Sequence, residues 1–246
     1  MVQAHERASR RLIELAEEWL PITGPANEAD IRVYGAGLVA RIVGTVQAML
    51  ALAPSGRDAD LNILVRAAFE HAVTFAWLAA DPNRRFVRWQ KEDAISRLAI
   101  HRDMQRFGET LLAPATEAEL QRHAAASTKN PPNIPDRAAQ ADQYWGPRLQ
   151  LPDPPDLASF RGHYTTVYRR GSSRTHATVL GLNDVIRRAG GGQYVVALEA
   201  SGPQPSLRMA PFVLGLTLFV ASDLFGRPER QAIDAVFDEL GSETLS

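Results

Sequence analysis

The sequence predicts an all-α protein, a multi-helix bundle with a Pro-rich excursion and at most one short hairpin. Apolar residues recur at helical spacing along most of the 246 residues. Pro and Gly interrupt this periodicity at a few places, as expected for loops that connect helices. Residues 193–200 alternate weakly between apolar and polar side chains, and they are the only good candidate for a strand.

Four helices are predicted in the N-terminal half, at about residues 3–20, 27–53, 58–80 and 82–107. Helix-breaking residues separate them, including Pro21, Pro54 and the pair Asp81-Pro82. Asn27 can cap the second helix, and Pro82 suits the first turn of the fourth. The third helix is very apolar, so we expect it to be buried.

The second half is less regular, because half of the 16 Pro residues lie within 111–155. Short helices are predicted there at about 115–127 and 136–145, between Pro-rich connections. Further helices are predicted at about 157–178, 183–188, 209–225 and 228–241. Since neither flank of the Pro-rich stretch looks complete alone, we expect a single helical domain over 1–246, with 111–155 as an insertion.

Composition narrows the classes of function. The net charge is −1, which gives no overall electrostatic argument for a nucleic-acid or membrane partner. Cysteine is absent, which excludes disulfides, thiolate catalysis and Cys-ligated metals. The chain also lacks a Glu-x-x-His pattern, so we expect no metal site and no cofactor.

Targeting signals are not evident in the sequence. The N-terminus has charged residues and no signal-peptide apolar region. The longest apolar run, Met209 to Ala221, is short for a membrane span. We therefore expect a soluble cytoplasmic protein that does not enter a membrane.

Two polar stripes on predicted helices stand out. One is a ladder with four-residue spacing, formed by Tyr164, Tyr168, Ser172 and His176. The other is the pair Arg66 and Glu70 in the apolar third helix. Residues four apart lie above one another on a helix, and polar groups on buried helices need partners. We therefore expect the two stripes to meet inside the protein.

Each stripe has a structural and a functional interpretation. Arg66 and Glu70 can form a local ion pair, or Arg66 can bind an anion while Glu70 acts as a base. The ladder can be a hydrogen-bonded seam, or it can carry catalysis. In the catalytic interpretation His176 is the general acid or base, Arg169 or Arg170 stabilises a phosphate, and Tyr168 positions it. The arginines at 84, 85 and 88 are expected to form a solvated face.

The combination of Arg66-x3-Glu70, Trp77 and Asp81-Pro82 with the later Tyr-x3-Tyr-x3-Ser-x3-His pattern resembles a widespread bacterial family of helical proteins of unknown function. The resemblance covers roughly residues 30 to 225 and implies an all-helical fold without an assigned reaction. It therefore strengthens the expected fold class and leaves the function open.

Arg170 and His176 also resemble the Arg-x4–6-His motif of HEPN domains, the helical nucleases of toxin–antitoxin and defence systems. That resemblance implies metal-independent action on RNA by Arg169 or Arg170 with His176, across a homodimer. The sequence departs from the HEPN pattern at Gly171, and the tyrosines are not part of that motif.

Three hypotheses follow. The first is a HEPN-like ribonuclease or nucleotide-acting protein that binds RNA or a nucleotide and forms a homodimer. The second is a non-catalytic binding or regulatory module whose polar network is structural. The third is a small-molecule enzyme with Glu70 or His176 as base, in an enclosed pocket lined by Trp77 or Phe69.

Overall fold

The computed structural model describes residues 2–20, 31–127, 129–149, 159–168, 186–188, 194–196, 205–225 and 230–245. Helices dominate these ranges, which confirms the predicted all-α class. The helices are α1 Val2–Trp19, α2 Ile31–Leu52, α3 Asp58–Ala80, α4 Pro82–Gln105, α5 Pro114–Ala125, α6 Ile134–Leu149, α7 Phe160–His163, α8 Ala210–Phe225 and α9 Arg230–Leu245. Short 3₁₀ segments lie at Ala53–Ser55 and Leu207–Met209.

Helix α3 lies at the centre of the fold, with α2, α6 and α8 packed against it. It can do so because its apolar residues surround most of the helix, and Phe69, Phe75 and Trp77 are at most 1% exposed. The N-terminal helix α1 packs on α8 and α9. Its buried stripe includes Leu12 and Trp19.

The turn between α2 and α3 has the geometry that its Pro-Ser-Gly sequence predicts. Gly56 has a φ of 71°, in the left-handed region that Gly adopts without a steric penalty. Its N–H donates to the carbonyl oxygen of Ala53 at 3.1 Å, which closes the turn. Helix α3 then begins at Asp58, whose negative charge suits the positive end of the helix dipole.

The Pro-rich stretch contributes to the body of the protein. Helix α5 packs on α4, and α6 packs on α3. The indole of Trp145 on α6 is 1% exposed and donates from Nε1 to the carbonyl oxygen of Ala76 at 2.9 Å. Helix α6 extends from Ile134 to Leu149 and so continues through Pro147, beyond the predicted end at about 145.

Two predicted helices require correction. Within the described part of 157–178, residues Phe160–His163 are α-helical, but Tyr164–Tyr168 form a π-helical turn. Ile186–Arg188, predicted as the end of a short helix, is strand β1. It pairs antiparallel with β2, Tyr194–Val196, in the register Ile186 to Val196. Pairing with a second strand outweighs the weak local preference for helix. Strand β2 lies within the predicted strand at 193–200, and its pairing with β1 stays within the predicted limit of one short hairpin.

The expected cytoplasmic localisation is wrong by the criterion of helix length and hydropathy. Three segments are long and apolar enough to cross a membrane: Ile31–Ser55, Asp58–Ala80 and Leu207–Phe225. The longest uninterrupted apolar run in the sequence is short, but a membrane span tolerates a few charged residues within it. In the structure, 50% to 61% of the most apolar window of each segment is buried against the rest of the protein.

The contact between α8 and α9 generates a stability prediction. A Cβ on Gly215 would overlap two ring carbons of Phe237, so Gly215→Ala must displace that ring. We expect a loss of about 1–3 kcal/mol in the free energy of unfolding, as for other overpacked contacts. Urea unfolding followed by circular dichroism measures this loss.

Gly44→Ala is the matched control, because Gly44 is exposed in the interior of α2 and a Cβ there would meet open space. It should raise the free energy of unfolding by about 0.5–1 kcal/mol, since Ala restricts the unfolded chain. A Gly215→Ala variant as stable as the wild type would contradict the packing at Phe237.

Candidate functional site

The candidate site begins on the face of α3 that carries Arg66 and Glu70. Both side chains are partly buried, one helical turn apart, in a helix whose neighbouring residues Val65 and Phe69 are buried. Arg66 contacts Tyr168.

The partner of this face is positioned by hydrogen bonds at the start of α7. Asp142 on α6 accepts two backbone N–H groups, from Phe160 to Oδ1 at 2.9 Å and from Arg161 to Oδ2 at 2.8 Å. Ser159 caps the helix, because its Oγ accepts from the N–H of Gly162 at 2.9 Å. These bonds satisfy N–H groups that a helix start leaves open, and they join α7 to α6.

The π-helical turn that follows carries the two tyrosines of the ladder. Their rings stack with centroids 5.1 Å apart and an interplanar angle of 20°. The guanidinium carbon of Arg66 lies 4.7 Å from the centroid of Tyr168, within the range of a cation–π contact. Arg66 Nη2 also donates to the Tyr168 hydroxyl at 3.4 Å, which is a long hydrogen bond. The two predicted stripes therefore meet at Arg66 and Tyr168.

The arrangement combines a cation with two aromatic rings that are only partly buried. Stacked tyrosine rings offer a π-face to a planar ligand, and the guanidinium carries a positive charge that attracts an anion. Glu70 lies one turn further along α3 and is also partly buried. A π-helical turn is rare and is frequently found at functional sites.

The other predicted site residues, Arg169, Arg170, Ser172 and His176, lie outside the described residues. They follow Tyr168 directly in the sequence. Their roles, and the roles assigned to Arg66, Glu70, Tyr164 and Tyr168, therefore remain predictions. The observed geometry concerns the first half of the ladder and its contact with α3.

Two clusters of side chains in the structure were not predicted from the sequence. His163 is 1% exposed, and its ring lies 6.3 Å from Phe69 and 6.0 Å from Phe212. No spacing in the sequence pointed to these contacts, because the three residues lie on different helices.

The second cluster surrounds Trp77. Arg85 and Arg88 were expected on a solvated face, but both side chains are partly buried and lie over the Trp77 ring together with Arg137. Helical periodicity does not predict this contact, because the chain breaks at Asp81-Pro82 and α4 turns back onto the end of α3. Arg137 is remote in sequence.

Comparison with known proteins identifies a family. Residues 32–193 match the model of DUF5677, a family of unknown function. This confirms the predicted resemblance to an uncharacterised helical family, and it lends no support to the HEPN resemblance. No curated protein matches the chain. No solved structure matches it either.

The Asp142 contacts generate a prediction for stability and its pH dependence. Burial raises the pKa of Asp142 above its usual value, although the N–H groups of Arg161 and Phe160 oppose this shift. A raised pKa means that the folded protein binds the proton more tightly than the unfolded chain. The contribution of Asp142 to stability is therefore full below pH 3.8 and is lost as the pH rises through the folded pKa.

Asp142→Asn removes this titration, so only the wild type loses the Asp142 contribution as the pH rises. The unfolding free energy of the variant minus that of the wild type should therefore increase from about pH 3.8 upwards. Asp142→Ala removes both acceptors and should cost about 1–2 kcal/mol at pH 7. Urea unfolding at several pH values measures both effects. A difference between Asn and Asp that does not change with pH would contradict the raised pKa.

Proposed function

The chain belongs to DUF5677, a family of unknown function, and we propose that it is a metal-independent ribonuclease. In this proposal RNA binds at the tyrosine pair and is cleaved by His176 with Arg169 or Arg170. The observation that supports it best is the stack of Tyr164 on Tyr168, with Arg66 against Tyr168, immediately before these residues in the sequence.

Binding in this proposal uses the partly buried tyrosine rings. Unpaired RNA bases stack on aromatic side chains, and such stacking tolerates any base because each has a π-face. Arg66 adds a positive charge beside the stack, where it attracts the phosphate backbone. Tyr164, Tyr168 and Arg66 therefore act as the binding residues, and Ser172 is an additional hydrogen-bonding group on the ladder.

Cleavage in this proposal is an internal transfer that needs neither metal nor added water. The RNA 2′-oxygen attacks the adjacent phosphorus, and the bond from phosphorus to the 5′-oxygen breaks. His176 takes the 2′-hydroxyl proton, and the departing 5′-oxygen receives a proton from a second imidazole or from solvent. Arg169 or Arg170 stabilises the extra negative charge on the phosphate. A homodimer would supply two His176 side chains to one cleft.

A second candidate is a non-catalytic binding module. It is favoured by the contact between Arg66 and Tyr168, because each of these side chains satisfies part of the other's bonding capacity. In that case the same surface binds RNA or another ligand without changing it, and Glu70 and His176 serve only to complete the polar network.

His176→Ala distinguishes the two candidates. For a ribonuclease, this variant should cleave single-stranded RNA at least about 100-fold more slowly than the wild type, as expected for loss of a general acid or base. RNA affinity should remain unchanged, and EDTA should not reduce wild-type cleavage. Product analysis on gels measures cleavage, and fluorescence anisotropy measures binding.

His123→Ala is the control, because His123 is a partly exposed histidine on α5 that pairs with Glu119. It should cleave RNA like the wild type. Equal activity of the wild type and His176→Ala, or no cleavage by either, would rule out the nuclease and leave the binding module.

Tyr168→Leu tests the binding surface in both candidates. It removes the ring on which Tyr164 stacks and which Arg66 contacts. The Tyr164 ring then loses its support as a stacking surface for a base, so RNA affinity should fall by about 1–3 kcal/mol, the usual value of one base–aromatic stack. Tyr168→Phe is the matched control. It keeps the ring and loses only the long hydroxyl hydrogen bond, so its affinity should stay close to that of the wild type. Equal loss in both variants would contradict stacking as the source of affinity.

A further inference from the structure

Three arginine side chains converge on Trp77 in the last turns of α3. The guanidinium carbons of Arg85 and Arg88 on α4 lie 5.5 Å and 5.7 Å from the centroid of the indole. That of Arg137 on α6 lies at 5.1 Å. Trp77 itself is fully buried, and its Nε1 donates to Gln140 Oε1 at 2.9 Å. Three positive charges thus lie against one indole ring, in surroundings that are partly shielded from water.

Arg137 is neutralised within the protein. Its Nη2 contacts the carboxylate of Glu92 in an ion pair. Its Nη1 donates to Thr74 Oγ1 at 3.1 Å, and its Nε donates to the carbonyl oxygen of Pro132 at 2.8 Å. With 4% of its surface exposed, Arg137 is a buried cation whose three nitrogens are all bonded. It therefore serves to join α6 to α3 and α4.

Arg85 and Arg88 lack such neutralisation. Arg85 donates from Nη1 to the carbonyl oxygen of Trp77 at 2.6 Å, and Arg88 donates from Nη2 to that of Asn130. Neither has a carboxylate within 4.0 Å in the part of the chain that the structure describes. The Nε of Arg88 is buried and has no hydrogen-bond partner there. Each guanidinium has five N–H donors, so donors remain for a ligand.

The charges around Arg85 and Arg88 also favour the binding of an anion. Burial lowers the pKa of Arg85, Asp81 opposes that shift, and the like charge of Arg88 adds to it. Two cations that repel each other beside an apolar ring gain stability from an anion between them. The N-terminus of the 24-residue helix α4, at Pro82, lies one turn before Arg85 and adds partial positive charge.

We infer that Arg85 and Arg88 form a binding site for a phosphate group beside Trp77. The guanidinium forks match phosphate oxygens in two-bonded geometry, which an isolated ammonium does not. Trp77 holds the two side chains in place through cation–π contacts. The site is separate from the tyrosine pair, because Trp77 lies 11 residues after Arg66, or roughly 16 Å along α3. It does not depend on the proposed nuclease.

Titration calorimetry with inorganic pyrophosphate tests this site. The wild type should bind pyrophosphate, and Arg85→Gln and Arg88→Gln should each weaken binding at least about tenfold, as expected for loss of a charge-assisted hydrogen-bonding group. Arg84→Gln is the matched control, since Arg84 is exposed on the same helix. It makes the same change of charge and should leave affinity within about twofold of the wild type.

The source of the phosphate is distinguished by three further probes: inorganic phosphate, adenosine monophosphate and a short oligouridylate. Tighter binding of the oligouridylate that is lost in Arg85→Gln and Arg88→Gln indicates a nucleic-acid backbone. Preference for pyrophosphate or the monophosphate indicates a small phosphorylated ligand. Cleavage of RNA is not measured in these titrations, so failure of the nuclease proposal and failure of this site are separate results.

Circular dichroism and thermal unfolding show whether each variant folds. If the Gln variants are destabilised, Arg88→Lys keeps the charge and removes the fork, and it should still bind pyrophosphate more weakly than the wild type. Absence of phosphate binding in the wild type would overturn the site. So would equal weakening in Arg84→Gln, or wild-type affinity in a folded Arg85→Gln or Arg88→Gln. In these cases the two arginines serve only to bond the carbonyls of Trp77 and Asn130.

Discussion

The structure depends on how α3 satisfies its polar residues while the rest of the helix is buried. Arg66 turns to Tyr168, Thr74 accepts a hydrogen bond from Arg137, and Trp77 donates one to Gln140. In a central helix without such partners, the polar groups would lose their hydrogen bonds to water and form none within the protein, which lowers the stability of the fold. The elements that cover this side of α3 therefore supply hydrogen-bond partners for its polar residues as well as apolar surface for packing.

Those covering elements are α6, α7 and the π-helical turn. Asp142 ties α7 to α6 through the two N–H groups at the helix start, and Trp145 ties α6 to α3 through the carbonyl of Ala76. The tyrosine pair thus rests on a chain of hydrogen bonds that begins in the Pro-rich stretch. This stretch separates the two polar stripes in sequence and joins them in space.

Much of the helical framework was predictable because it follows from local periodicity. The bounds of α1, α3 and α8 agree with prediction to within about two residues, where Pro and Gly mark the ends. The meeting of the stripes was also predictable, since buried polar groups require partners. The π-helical turn and the strand Ile186–Arg188 were not, because their hydrogen bonds depend on neighbours that periodicity does not encode.

The candidate site was predictable only in part. Arg66 lies four residues before Glu70, and Tyr168 lies four residues after Tyr164. This spacing allowed both to be predicted as site residues from the sequence, and they are in contact. The arginines around Trp77 come from two helices, one of them remote in sequence, and no local pattern joins them. The suitability of three helices for a membrane was missed because charged residues such as Arg41 and Arg66 interrupt their apolar runs.

The π-helical turn has a mechanical consequence for the tyrosine pair. Such a turn holds one residue more than an α-helical turn, and one residue of α-helix corresponds to about 100° of rotation and 1.5 Å of rise. Rewinding Tyr164–Tyr168 into α-helix would therefore rotate the Tyr168 ring relative to Tyr164 and withdraw it from Arg66. The winding of these five residues therefore sets which aromatic ring lies against Arg66 on α3.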